Sequence, residues 1–182
     1  ATVSPATLNF TQTNWQTNQT VTLTGVNDSD SDGHQGYGIS LAAAVQGTEH
    51  PVVTTLAGSG SSGSTNATGI SASFNTPYQM ASDGTNLYVT DSGNNKIRKI
   101  VISTGVVTTL AGSGSSGSTD ATGTSATFTY PSGIATDGTN LYVTDYRNHR
   151  IRKIVISTGV VTTFAGSSAG STDATGTSAK FN

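Results

Sequence analysis

Apolar and polar residues alternate along most of this chain, and nowhere do apolar positions recur at the spacing of a helical face. The pattern is clearest after Pro131, a residue suited to the first position of a strand. Ser132 to Asp137 predicts one strand, and Asp137-Gly138-Thr139-Asn140 predicts a hairpin turn. Leu141 to Asp145 follows as a second strand, and Tyr146 to His149 turns the chain again. Ile151 to Ser157 predicts a third strand. Thr158-Gly159 leads into a fourth, Val160 to Gly166. The third strand, Ile-Arg-Lys-Ile-Val-Ile-Ser, is nearly continuous in apolar residues, the pattern of a strand covered on both faces.

This four-strand pattern recurs. Val52–Gly105 and Val106–Gly159 are two copies of one 54-residue unit, and a third begins at Val160 and runs to Asn182. A fixed period of this size implies supersecondary units that stack and bury their faces on one another. Val52 to Gly58 then reads as a fourth strand without its own first three. The two full copies differ at 13 of 54 positions. The differences concentrate on the approach to the first strand, on that strand, and on the turn after the second.

Residues 1–48 follow another pattern. Thr7–Thr11, Thr20–Val26 and Tyr37–Val45 alternate as three strands separated by polar turns, which predicts part of a β-sandwich. Gln46 to Pro51 reads as a junction, giving a sandwich fragment over 1–48 and a repeat segment over 49–182 (52–105, 106–159 and the partial 160–182). Both ends fall in mid-pattern, as expected of a segment of a longer polypeptide.

Composition narrows the picture. Only 10% of residues are charged, the net charge is −2, and Glu49 is the sole glutamate. Ser and Thr make up about a third of the chain, and 22 glycines supply turns. Without cysteine there is no disulfide and no thiolate metal site. No apolar run approaches the roughly 18 residues needed to span a bilayer as a helix, so no membrane insertion is expected. The small net charge argues against a nucleic-acid partner.

Two resemblances follow. Pro131-Ser-Gly-Ile-Ala, Asp137-Gly, Asn140-Leu-Tyr-Val-Thr-Asp145, Asn148-His-Arg-Ile-Arg-Lys-Ile and Gly159-Val-Val-Thr-Thr-Phe-Ala-Gly resemble the NHL repeat of β-propellers. The preceding copy matches with Asn86-Leu-Tyr-Val-Thr-Asp91 and Asn94-Asn-Lys-Ile-Arg-Lys-Ile. It departs at Tyr78-Gln79-Met80, where the later copy has Ser132-Gly133-Ile134. Val3 to Thr11, Asn14-Trp15, Gln19 to Ser29 and Tyr37 to Leu41 resemble the second half of Ig-like, Calx-beta-type repeats of large bacterial surface proteins. The implied fold is all-β: a partial Ig-like sandwich followed by NHL-type four-stranded propeller blades. A closed propeller needs roughly four to eight blades. Two complete blades imply that further blades of the same polypeptide, or other copies of the chain, cover the open faces.

Candidate chemistry is sparse. Asp28, Asp30 and Asp32, with Gly33 and possible help from Asn27, could converge on a Ca²⁺ ion. Ile39 stands where an EF-hand loop needs glutamate, so no EF-hand forms, and an Asp-rich solvated turn is the alternative. The resemblance to Calx-beta-type domains, which often bind Ca²⁺, keeps the ion in play. Gly58-Ser-Gly60-Ser-Ser-Gly63 matches a dinucleotide fingerprint in letters, but Ser, Thr and Gly follow where a helix is needed, so it reads as a polar loop. Asp91 and Asp145, with Asn94 and Asn148 three residues on, read as side chains capping their own turns, with a pore lining as the alternative. The variable positions nominate Tyr78, Gln79, Tyr146 and Arg147 for partner contact; neutral drift after duplication would leave the same pattern. No cysteine, no glutamate in the blades and no histidine cluster argue against an enzyme. The expectation is a non-enzymatic, extracellular structural or adhesive module of a repetitive bacterial surface protein, with a self-assembling filament subunit as one form. The alternative is a propeller that recognises a protein or glycan through its inter-strand loops.

Overall fold

The computed structural model describes residues 53–182 and, ahead of them, the strands Thr2–Ser4 (β1) and Thr22–Thr24 (β2). The chain divides into two compact units, Ala1–Glu49 and His50–Asn182. In the first, β1 and β2 pair antiparallel with Val3 opposite Leu23. β2 falls inside the stretch 20–26 expected to be extended. The strands expected over 7–11 and 37–45 lie outside the described residues.

The second unit contains two four-stranded antiparallel meanders. One is β3 (Pro77–Ser82), β4 (Asn86–Asp91), β5 (Lys96–Val101) and β6 (Val107–Ala111). The other is β7 (Pro131–Thr136), β8 (Asn140–Asp145), β9 (Arg150–Val155) and β10 (Val161–Ala165). Val, Ile, Thr and Tyr dominate β4, β5, β8 and β9, the residue types that suit a pleated, covered surface. Pro77 and Pro131 open strands at a sheet edge, where a missing N–H leaves no ladder bond unmade.

The turns follow from local chemistry. Asp83 Oδ1 accepts the N–H groups of Thr85 and Asn86 at 2.9 and 2.7 Å, and Asp137 Oδ1 takes Thr139 and Asn140 at 2.8 and 2.6 Å. The second turn of each blade is one 3-10 turn, Ser92–Asn94 or Tyr146–Asn148. It ends on a left-handed residue, Asn95 or His149, each at φ 52°. Beyond β6, Gly112 holds φ +101°, and a Cβ there would stand 2.4 Å from the Asn95 carbonyl oxygen. Only glycine meets both demands.

The segment between sheets carries the core. Residues 112–130 pass between the two meanders, and Phe128 is fully buried among Tyr88, Ile97 and Ala111 of the first blade and Leu141, Val143, Ile154 and Val161 of the second. Side chains bridge the blades as well. Thr90 Oγ1 donates to the Ser132 carbonyl at 2.8 Å, Ser92 Oγ donates to the Pro131 carbonyl, and Asn95 Oδ1 accepts the Tyr130 N–H at 2.8 Å.

Two expectations need comment. The strand expected over 52–58 does not form: no residue from 53 to 58 is in a strand and Val53 is 96% exposed. A strand exists through the backbone groups it pairs with, and among the described residues no strand lies against this segment. The Gly58–Gly63 loop is a loop, as expected. Gly63 donates its N–H to the Phe74 carbonyl at 3.0 Å, and a single 3-10 turn, Gly69–Ser71, follows in place of a helix.

Candidate functional site

The chemistry of each blade centres on a buried aspartate and arginine. Asp145 and Arg152, on the adjacent strands β8 and β9, are both fully buried and meet at 2.8 Å. Asp145 also accepts the Thr129 N–H at 2.7 Å and the Asn148 side-chain amide at 2.8 Å. Arg152 further donates to the Thr127 and Thr119 carbonyls, both at 3.0 Å, and to Asp120 Oδ1 at 2.7 Å. Its guanidinium lies 5.1 Å from the centre of the Phe128 ring. The first blade repeats the arrangement with Asp91, Asn94, Arg98 and Phe74, except that Asn66 stands where Asp120 is. Burial pushes the Asp145 carboxyl above its ordinary value, against the Thr129 amide, Asn148 and Arg152, which favour the carboxylate. At Asp120 burial also pushes up, but the Thr163 amide and Arg152 hold the carboxyl below its ordinary value.

This corrects the sequence reading of Asp91 and Asp145. They cap no backbone amide of their own turn. Their partners are an amide 16 residues upstream, the asparagine three residues on and the arginine seven residues on. The signal was present as Asp-x-x-Asn-x-x-x-Arg, with the arginine in an Arg-Lys pair flanked by isoleucines on the third strand. Asp83 and Asp137, read as turn residues, are turn residues.

The nominated partner residues lie at one end of the sheets. β3 pairs with β4 through Pro77 and Asp91, then shifts register before Met80 pairs with Val89, so Tyr78 and Gln79 occupy a bulge. Pro131 pairs with Asp145, so Tyr146 and Arg147, directly after β8, lie at the corresponding end of the second sheet. Tyr78 and Tyr146 are 67% and 61% exposed. Arg147 stacks 5.3 Å over the Tyr130 ring. Gln79 is less free than its sequence position suggests, because its side-chain oxygen accepts the Ile134 N–H of the next blade at 3.3 Å.

The folding of each blade joins the variable stretches. Gly93 donates its N–H to the Asn75 carbonyl at 2.9 Å, Ser92 to Thr76 at 3.3 Å, and Arg147 to Thr129 at 3.2 Å. Positions that differ between copies before the first strand thus sit against those that differ after the second. Asp28, Asp30 and Asp32 lie outside the described residues. Among the described residues no group of three His, Cys, Asp or Glu side chains is placed to hold a metal, and no helix is long and apolar enough to cross a membrane.

The two four-stranded antiparallel meanders are consistent with β-propeller-like blades. The NHL repeat model matches residues 128–154. NHL repeat-containing protein 2 of Homo sapiens is 36% identical over 104 residues, 54% of this chain and 14% of that protein. Protein SUPPRESSOR OF QUENCHING 1, chloroplastic, of Arabidopsis thaliana is 41% identical over 80 residues, 43% of this chain and 8% of that protein. Among solved structures, an auxiliary nutrient binding protein from Bacteroides thetaiotaomicron superposes with a TM-score of 0.47 at 22% identity, over 54% of this chain and 28% of that one. The chain spans less than a third of each of these proteins.

Proposed function

We propose that this chain is a non-enzymatic interaction module of a bacterial surface protein, and that it engages its partner through the end of the blades that carries Tyr78, Tyr146 and Arg147. One observation carries the reading: two stretches of variation, separate in the sequence, adjoin on an otherwise duplicated framework at the end where exposed tyrosines stand. Tyrosine and arginine offer large contact area and directed hydrogen bonds, and are enriched where proteins bind. The non-enzymatic reading draws on the state of the blade carboxylates. Asp91 and Asp145 are taken up by buried arginines, and Asp83 and Asp137 by their turns. The surface location rests on the resemblance of residues 1–48 to Calx-beta-type domains, and a Ca²⁺ ion at Asp28, Asp30 and Asp32 belongs to the same proposal.

The test is binding of the whole chain to arrayed glycans and to immobilised cell-surface proteins. It is paired with the variant Tyr146→Ser, Arg147→Gly, which carries at these positions the residues of the first blade. Saturable binding that the variant lowers at least about tenfold is expected, the loss of one or two anchoring side chains. Binding that survives the variant unchanged would place the partner elsewhere.

A further inference from the structure

Asn75, Thr76 and Gly93 of the first blade are replaced in the second by Thr129, Tyr130 and Arg147. The three replacements meet in space. A Cβ on Gly93 would stand 2.6 Å from the Asn75 side chain, so an arginine fits there only with a different neighbour. In the second blade that neighbour is Thr129. Its hydroxyl turns away to the Ser116 hydroxyl at 2.9 Å and the Gly117 N–H at 3.0 Å. Arg147 then lies 5.3 Å over the Tyr130 ring. Drift at three independent positions gives no reason for them to build one contact.

The ring is mounted in a strained place. Tyr130 has φ 56°, a left-handed conformation that suits glycine or asparagine and strains a bulky side chain. The bend belongs to the repeat, since Thr76 has φ 51°. The ring belongs to the second copy alone. Asn95 of the first blade fixes it by accepting the Tyr130 N–H at 2.8 Å. Strain of this kind gathers at positions that hold ligands.

Arg147 is exposed, and so is its counterpart Gly93, which a complete blade follows; the position faces solvent in either setting. The other three arginines are engaged: Arg98 donates to Asp91, Arg152 to Asp145 and Arg150 to the Ser118 carbonyl. The Arg147 guanidinium makes no hydrogen bond and no ion pair among the described residues; its only fixed neighbour is the ring. Its surroundings favour an anion. Lys96 and Arg150 pair across the ladders with Asp91 and Asp145, which puts both cations at the end of the sheets where Arg147 stands. Asp91 and Asp145 are fully buried and each holds an arginine. Asp83 and Asp137, the exposed carboxylates of the turns, belong to the opposite end.

We propose that Arg147, mounted on Tyr130, is a carboxylate receptor for an acidic segment of a partner protein. A guanidinium offers parallel N–H groups that match the two oxygens of a carboxylate, and stacking on a ring holds it in place before the ligand arrives. Arginine beside tyrosine is the composition of surfaces that bind protein. The proposal rests on the reading of this end as the partner-binding surface and names the chemistry it selects.

The probe is hexaglutamate, titrated at low salt into the isotopically labelled 182-residue chain, with hexaglutamine as the uncharged control. Saturable shifts centred on the amides of residues 129, 130 and 146–148 and on the Arg147 Nε–H are expected. Hexaglutamine should bind at least about tenfold more weakly. Arg147→Lys should weaken hexaglutamate binding at least about fivefold, because lysine keeps the charge and loses both the fork and the stacking. Tyr130→Asn should weaken binding without lowering the urea midpoint, since asparagine suits φ 56°; a ring with a merely structural role would lower the midpoint instead. Equal binding of the two peptides, full binding by Arg147→Lys, or binding of galacturonate oligomers but not of hexaglutamate would each overturn the proposal. An arrayed partner whose binding falls in the Tyr146→Ser, Arg147→Gly variant but not in Arg147→Lys would overturn the receptor and leave the partner-binding end standing. Hexaglutamate bound at Arg147 with no arrayed partner would support the receptor and count against the surface module.

Discussion

Asp120 and Asp145 hold the same guanidinium from two sides, yet they differ in how far the fold depends on them. Asp145 is fully buried beside Arg152, while the Asp120 side chain is 46% exposed. The first blade already carries asparagine at the outer place, in Asn66. Asp120→Asn should therefore cost under about 1 kcal/mol, the range of exposed pairs. Asp145→Asn leaves a buried cation without its buried counter-charge, with only the half-exposed Asp120 remaining, and should cost about 3–5 kcal/mol. Urea denaturation of the two variants separates these values, and equal costs would refute the division of labour. Asp145 was visible in the sequence, but not the arginine's direction, because Arg152 and Lys153 are adjacent on β9 and the sequence does not say which of the two faces inward.

The other titrating groups set the response to pH. In the first blade the Asn86 amide, the Asn86 side chain and the Tyr88 hydroxyl hold the Asp83 carboxyl well below the usual carboxylate range. In the second the Asn140 side chain and amide do the same for Asp137. A depressed carboxyl contributes stability above its unfolded value, ~4, and that contribution is lost as pH falls through the folded value. Tyr88 has the opposite sense. Burial, then the bond to Asp83, pushes its phenol up to about 12. Its contribution is present below the unfolded value, ~10, and is lost as pH rises towards the folded one. Denaturation midpoints across the range should fall on both sides. Asp83→Asn with Asp137→Asn should flatten the acid limb, and Tyr88→Phe the alkaline limb.

Among the elements, strands were the most legible and the segments between them the least. The four strands expected from 132 to 166 form within one or two residues of their expected bounds, because alternation and turn chemistry are local. The role of residues 112–130 is not local. Ser, Thr and Gly announce a polar loop, and nothing nearby says that its one phenylalanine lies between two sheets. That placement gives a graded prediction. Phe128 is buried by sheets on both sides, Phe74 packs on the first blade alone, and Phe181 remains 40% exposed. Phe128→Ala should cost about 3–5 kcal/mol, as full-size truncations in a packed core do. Phe74→Ala should cost less and Phe181→Ala least. Chemical denaturation of the three single variants checks the order, and a loss at Phe128 no larger than at Phe181 would refute its place in the inter-blade core.

For the pair of blades, near-identity of sequence does not make the two outward faces alike. Ser92 is fully buried and donates to the Pro131 carbonyl, so the first blade accepts the second through a small hydroxyl. Its counterpart in the second blade is Tyr146, 61% exposed. A tyrosine at the buried place has no room beside Pro131, so Ser92→Tyr overpacks the contact and also leaves that carbonyl without its donor. The combined loss should reach about 2–4 kcal/mol. Tyr146→Ser touches no such contact and should stay within about 0.5 kcal/mol. Hydrogen exchange adds a spatial readout. In Ser92→Tyr, the amides of β4 and β7 that face each other should lose protection first, while those pairing β9 with β10 stay closed. If the two substitutions destabilised equally, or if exchange rose evenly through both sheets, the Ser92 contact would not be what joins the blades. The same asymmetry bears on what meets the outer face of the second blade: a strand that docks there must leave room for Tyr146, and cannot take the position that β7 holds against the first.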